Sequence, residues 1–144
     1  MREILFRGKQ FDTGVWVEGN LIVWEDGSCS IEPGTLDPPP FCVIPETVGQ
    51  FTGLTDKNGK KIFEGDVVKA TIIRDIGYVE NIRNEKGVIA FDSLGMIGLM
   101  IERTDDNVPV WSDFFCELSI SGCIIDYCFE VIGNIHDNPE LLEV

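Results

Sequence analysis

The chain has 144 residues, 25 acidic against 11 basic side chains, a single histidine, a net charge of −14 and 44% hydrophobic content. This suits one domain, or one domain with a small added lobe, and the apolar content excludes a chain disordered throughout. A surface of that charge repels a phosphate backbone, which disfavours direct nucleic-acid binding, and no stretch approaches the roughly 18 uninterrupted apolar residues of a membrane-spanning helix.

In chain order, residues 2–7 read as a short first strand, followed by a turn at Asp12-Thr13-Gly14. Residues 15–24 are rich in β-formers and interrupted by Gly19-Asn20, which fits one bent strand or a hairpin. Glu25-Asp26-Gly27-Ser28 is a turn signal. Residues 30–40 contain Pro33 and the run Pro38-Pro39-Pro40. Proline fixes φ and donates no backbone hydrogen bond, so this stretch reads as an extended connector bounding an N-terminal lobe, residues 1–44, from a second lobe, residues 45–144.

Residues 48–70 carry the clearest fold signal. They read as strand, polar turn, strand, the turn being Asp56-Lys57-Asn58-Gly59. Asn and Gly tolerate positive φ, and an Asp side chain can bond the backbone two residues on. Glu64-Gly65-Asp66 is a second, sharper bend, and residues 67–73 form the longest strand candidate. Residues 74–86 are polar and read as no clear element. Residues 87–91 and 96–101 read as paired strands, residues 109–115 as a strand or an aromatic-bearing loop, and residues 117–121 and 124–132 as a hairpin around Gly122. At the end, Asn138-Pro139-Glu140 has a helix-start signature with room for a single turn. Short strands at regular spacing with Gly-rich turns predict a mainly β protein built on a small SH3-like barrel, with an additional N-terminal β lobe and a short C-terminal helical turn.

The chemistry-bearing residues form no coherent catalytic set. His136 is the sole histidine, and the spacing of Cys123 and Cys128 fits no common zinc pair, so no metal or cofactor site is expected. Buried thiols are the simpler reading, and a His136–Cys dyad is the one hydrolase arrangement that can be written down. The glycines at 49, 53, 59 and 65 match no phosphate loop and read as turns. Five cysteines, an odd number, and a start without an apolar leader point to a reducing, cytoplasmic setting. From residue 104 to the end there is no Lys or Arg and there are nine acidic side chains, whereas Lys57, Lys60, Lys61 and Lys69 cluster. These lysines, with Trp111, are the candidate interaction surface, and Trp111 could cover an exposed strand edge in an oligomer.

Three motifs carry a resemblance. Residues 45–68, from Pro45-Glu46-Thr47-Val48 through Glu64-Gly65-Asp66-Val67-Val68, closely resemble the signature of the YopX family of phage and prophage proteins. Residues 130–142, with Gly133-Asn134-Ile135-His136-Asp137-Asn138-Pro139, resemble its second signature, and Trp16-Val17-Glu18-Gly19 its N-terminal pattern. The resemblance implies a single family domain over residues 1–144, largely β with an SH3-like core, in a bacterial host cytoplasm, and it supplies no catalytic residues. The functional expectation is a non-enzymatic binding module with a protein partner or a second copy of itself. The alternatives are a nucleic-acid-associated protein or charge mimic and, behind it, a small hydrolase.

Overall fold

The structure, a computed structural model, describes residues 3–34, 39–76, 79–91, 97–102, 109–114 and 126–142. The chain is mainly β and packs as two compact units, residues 1–54 and 55–144. The proline run therefore lies inside the first unit, because the strand after it returns to the strand before it.

The first unit holds β1 (Phe6–Lys9), β2 (Trp16–Val23), β3 (Cys29–Glu32), β4 (Phe41–Val43) and most of β5 (Gly49–Thr55). All neighbouring pairs are antiparallel, and the order runs β4-β3-β2-β1-β5. Residues 16–23 form one strand, not a hairpin. Gly19 lets the strand pass close to its neighbour, since a Cβ there would sit 2.0 Å from the Glu32 carbonyl oxygen. Residues 30–32, read from sequence as the start of the connector, belong to β3. Ile31, Val43 and the Cys29 thiol form the core, with Phe6, Val17, Leu21 and Val48 packed against it. The turn at 25–28 forms as predicted: the Trp24 N–H donates to the Ser28 carbonyl at 2.9 Å, Asp26 Oδ1 accepts from the Ser28 N–H at 2.9 Å, and Gly27 has φ 86°. A 3₁₀ turn at Pro45–Thr47 is tied to β1 through Thr47 Oγ1, which accepts from the Lys9 N–H at 2.9 Å.

The second unit opens on the 56–60 turn and continues with β6 (Lys61–Phe63), β7 (Asp66–Ile76), β8 (Val79–Phe91), β9 (Ile97–Glu102), β10 (Pro109–Phe114) and β11 (Asp126–Asn134). A five-stranded antiparallel sheet has the order β10-β9-β8-β7-β11. The polar stretch 74–86, left unassigned by the sequence, is the outer part of a long β7–β8 hairpin. Its charged and amide residues obscure the alternation that marks a strand. Ile62, Phe63, Val67, Val68, Ala70, Val88, Ile89 and Phe129 are buried. The bend after β6 is closed by Asp66, whose Oδ2 accepts the Phe63 N–H at 2.8 Å, with Gly65 at φ 90°. Gly65 also donates to the Ile89 carbonyl at 2.8 Å and accepts from the Ile135 N–H at 3.0 Å.

Neither sheet closes into the small barrel predicted from strand spacing. In the first unit β4 meets the end of β1 at a single bridge, Gln10 to Val43, with the Ile44 N–H donating to the Lys9 carbonyl at 2.8 Å. The Asp12-Thr13-Gly14 turn ends the strand there, so no residues remain for a ladder. In the second unit β10 and β11 are the two ends of the sheet. The outer side of β11 is met by a turn: the Lys57 N–H donates to the Phe129 carbonyl at 2.9 Å, and Asp56 Oδ2 accepts the Val131 N–H at 3.1 Å. The C-terminal turn is a four-residue 3₁₀ segment, Pro139–Leu142. The predicted hairpin around Gly122 falls largely on residues 115–125, outside those described.

Candidate anion-binding site

Register builds the site. Across β8, β7 and β11, Lys86 lies opposite Lys69, and Lys69 lies opposite Glu130. Residues directly opposite in antiparallel strands share a face of the sheet, so these three form one transverse row. Lys69 and Lys86 are exposed, while the next residues inward, Val68, Ala70 and Gly87, are buried. Thr71 and Cys128 are paired in the adjacent row of the same face.

Lys57 joins this row from the 56–60 turn. Its Nζ lies 3.2 Å from Glu130 Oε2, with both side chains roughly half exposed. The turn that carries Lys57 is held in place by Asp56, a buried carboxylate. Asp56 Oδ1 accepts from the Asn58 N–H at 2.8 Å and the Lys60 N–H at 2.9 Å, and Oδ2 from Val131. Burial pushes the Asp56 carboxyl upward, but the backbone donors of Val131, Lys60 and Asn58, with the Lys60 charge, outweigh it and hold it below the usual aspartate value.

The result is a groove of about 400 Å³ whose polar lining includes Lys57, Lys69, Lys86 and Glu130; Ala70 and Phe129 also line it, with their side chains buried on the opposite face of the sheet. Among the described residues, three ammonium groups face one carboxylate, in a chain whose net charge is −14. Among the described residues, no ion pair engages Lys69 or Lys86. The arrangement can hold an anion. His136 sits in the turn after β11, where Asn134 Oδ1 accepts from the His136 N–H at 3.0 Å and the Asp137 N–H at 2.9 Å. Cys128 lies six positions before Asn134 on the same strand, roughly 20 Å away at the usual strand rise. The described cysteines Cys29, Cys42 and Cys128 are free thiols, the first buried and the others exposed. Among the described residues no group of three His, Cys, Asp or Glu side chains could hold a metal ion, and no helix is long and apolar enough to cross a membrane.

Of the lysines singled out in the sequence, the fold brings Lys57 and Lys69 together and adds Lys86. Lys60 points from the exposed turn and Lys61 opens β6, half-buried; neither lines the groove. Lys86 escaped sequence reasoning because only strand register makes it a neighbour of Lys69. Trp111 is on β10 opposite Met100, next to a register shift, and its side chain lies outside the described residues. Of the other tryptophans, Trp16 lies beneath the Arg7 guanidinium, 4.9 Å from the ring centre, and Trp24 is 52% exposed.

A family model described as YopX protein matches residues 6–143. The chain belongs to the YopX family. A solved structure, the crystal structure of protein EF1440 from Enterococcus faecalis, is similar over 99% of this chain and 100% of that one, at 25% identity and a TM-score of 0.47. A search of the curated proteins finds no match. In this YopX chain the residues that carry the family resemblance do backbone work. Asp56, Gly65, Asp66 and Asn134 each satisfy or bend main chain at a turn, and of the groove-lining lysines Lys69 directly follows the 45–68 motif on β7 while Lys86 lies on β8.

Proposed function

We propose that this YopX protein is a phage- or prophage-encoded, non-enzymatic interaction module of the bacterial cytoplasm, and that its contact surface is the lysine-bearing face of the β8-β7-β11 sheet. The observation that carries this reading is the in-register pair Lys69 and Lys86, exposed side by side and joined by Lys57 at one groove. A concentrated positive feature on a strongly acidic molecule selects partners that present negative charge locally, and repels those that are acidic over a wide area. An acidic patch on a protein partner fits that description better than a long nucleic acid, whose uniform charge meets the whole −14 field.

Capture of partners from host lysate tests the reading, comparing the native chain with the Lys69→Glu/Lys86→Glu double variant. A protein retained reproducibly by the native chain and lost by the variant supports it. Equal retention by both moves the contact surface elsewhere. The nucleic-acid alternative, with Lys57, Lys60, Lys61 and Lys69 as its local patch, requires the native chain to bind single- or double-stranded DNA at low salt; unaltered mobility of DNA at about 10 mM salt, where the screening length is roughly 30 Å, dismisses it.

A further inference from the structure

We infer that the groove on the β8-β7-β11 face is a seat for a small organic phosphate, and that Glu130 is a built-in competitor for it. The inference goes beyond the interaction surface proposed above, although both use the same face of the sheet.

Charge arithmetic selects the ligand. Among the described residues the groove presents the ammonium groups of Lys57, Lys69 and Lys86 against the carboxylate of Glu130. Lys57 is already paired with Glu130 at 3.2 Å, which leaves Lys69 and Lys86 as two adjacent cations. Like charges directly opposite on neighbouring strands repel. A phosphate monoester carries between −1.5 and −2 near neutral pH and places three acceptor oxygens around one centre, so one such group offsets both lysines. A carboxylate offsets one. Lysine is also suited to phosphate as a compact point charge with rotatable donors, and among the described residues no arginine, the usual partner of a two-oxygen carboxylate fork, lines the groove.

Shape points the same way. A concavity of about 400 Å³ lies within the range of small-molecule sites. Cys128, with the aliphatic stems of the lysines, supplies an apolar portion for the organic part of such a ligand. Glu130 explains how the seat is held in check. It stands opposite Lys69 in register and is fixed by Lys57, so its charge lies beside the place where the phosphate would sit. Removing that charge both ends the repulsion and releases Lys57 as a third donor.

The test is titration of the full chain with phenyl phosphate at about 20 mM salt, read by calorimetry and by the NMR shifts of the lysine side chains. The expected result is saturable binding of one equivalent, weakened about tenfold in Lys69→Gln and in Lys86→Gln, as loss of one charge-assisted contact implies. Glu130→Gln is expected to bind several-fold more tightly, and benzoate more weakly than phenyl phosphate to every variant. Lys69→Arg keeps the charge on the same strand position and is expected to retain binding, which separates loss of the site from loss of the fold. Three results overturn the proposal: no saturable binding by the native chain, unchanged affinity in both Lys→Gln variants, or Glu130→Gln binding no more tightly than native. Because the small anion is read directly, failure of partner capture leaves this site standing, and failure here leaves the partner reading standing.

Discussion

Asp56 shows how much one buried carboxylate can organise. Its two oxygens satisfy three main-chain N–H groups, two within its own turn and one on β11, so it fixes the turn's conformation and its seat together. Hydrogen bonds to a charged acceptor contribute more than neutral ones, and their loss leaves donors unsatisfied. Asp56→Ala is expected to lower the unfolding free energy by about 3 kcal/mol, measured by urea denaturation at neutral pH. The sign of the pH dependence follows from the depressed folded-state value. The stabilisation from Asp56 is fully present above the unfolded aspartate value of about 4 and is lost as pH falls through the lower folded value. Between pH 6 and pH 3 the stability difference between native chain and Asp56→Ala should therefore shrink; a constant difference would mean that the carboxylate charge is not what holds the turn. Gly19 acts through space it leaves empty. A methyl group there would overlap the Glu32 carbonyl and approach the Pro33 Cα at 2.8 Å, both main-chain atoms that cannot swing aside. Gly19→Ala is expected to cost about 2 kcal/mol, within the range for overpacking, read as a lowered denaturation midpoint.

At the scale of elements, the β7–β8 hairpin is where local sequence and assembled structure part company. The apolar, β-branched half of β7 announces itself, and so does the end of β8 at residues 87–91. The charged halves of both strands do not, because their charged and amide residues fall without a regular apolar/polar alternation to read. Pairing then places Lys86 against Lys69, an arrangement no local rule reveals. This pairing has a cost that can be measured. Lys86→Glu turns a repulsive cross-strand pair into an attractive one and is expected to raise stability by about 0.5 kcal/mol at low salt, with a smaller gain at high salt. An unchanged or lowered stability would mean that the two ammonium groups do not repel each other measurably. The edge of the same sheet shows a different device. A turn covers β11 at Phe129 and Val131 with hydrogen bonds that a passing strand would otherwise make, which blunts that edge against unwanted pairing.

At the scale of the whole molecule the dominant quantity is the charge of −14. Self-repulsion of that size opposes the compact state, and added salt screens it. The thermal midpoint is therefore expected to rise between about 10 and 150 mM NaCl, as the screening length falls from roughly 30 to roughly 8 Å. A midpoint that falls instead would mean that attractive pairs such as Lys57–Glu130 outweigh the net repulsion. The division into units at Leu54 and Thr55, rather than at the proline run, has a comparable lesson. Prolines state where a strand cannot continue, but they do not state where the chain goes next. Here β4 returns to pair with β3, at Ser30 with Cys42 and Ile31 with Phe41, and so keeps the proline segment within one unit.

What the sequence determined by itself is what short-range chemistry controls. The Asp56-Lys57-Asn58-Gly59 turn, the Gly65 bend, the turn at Gly27 and the mainly β character follow from residues whose side chains or missing side chains act on their own backbone. The 45–68 family motif was legible for the same reason, since it spans the first two of those turns. The tertiary structure alone decided whether the strands close and which charges meet. A sheet closes only if its end strands retain unpaired residues in reach of each other, and here a turn ends β1 after one bridge and another covers β11. The row Lys86, Lys69 and Glu130 exists because antiparallel register sets residues of three strands side by side, and register is a property of the assembled sheet and not of any one strand in it.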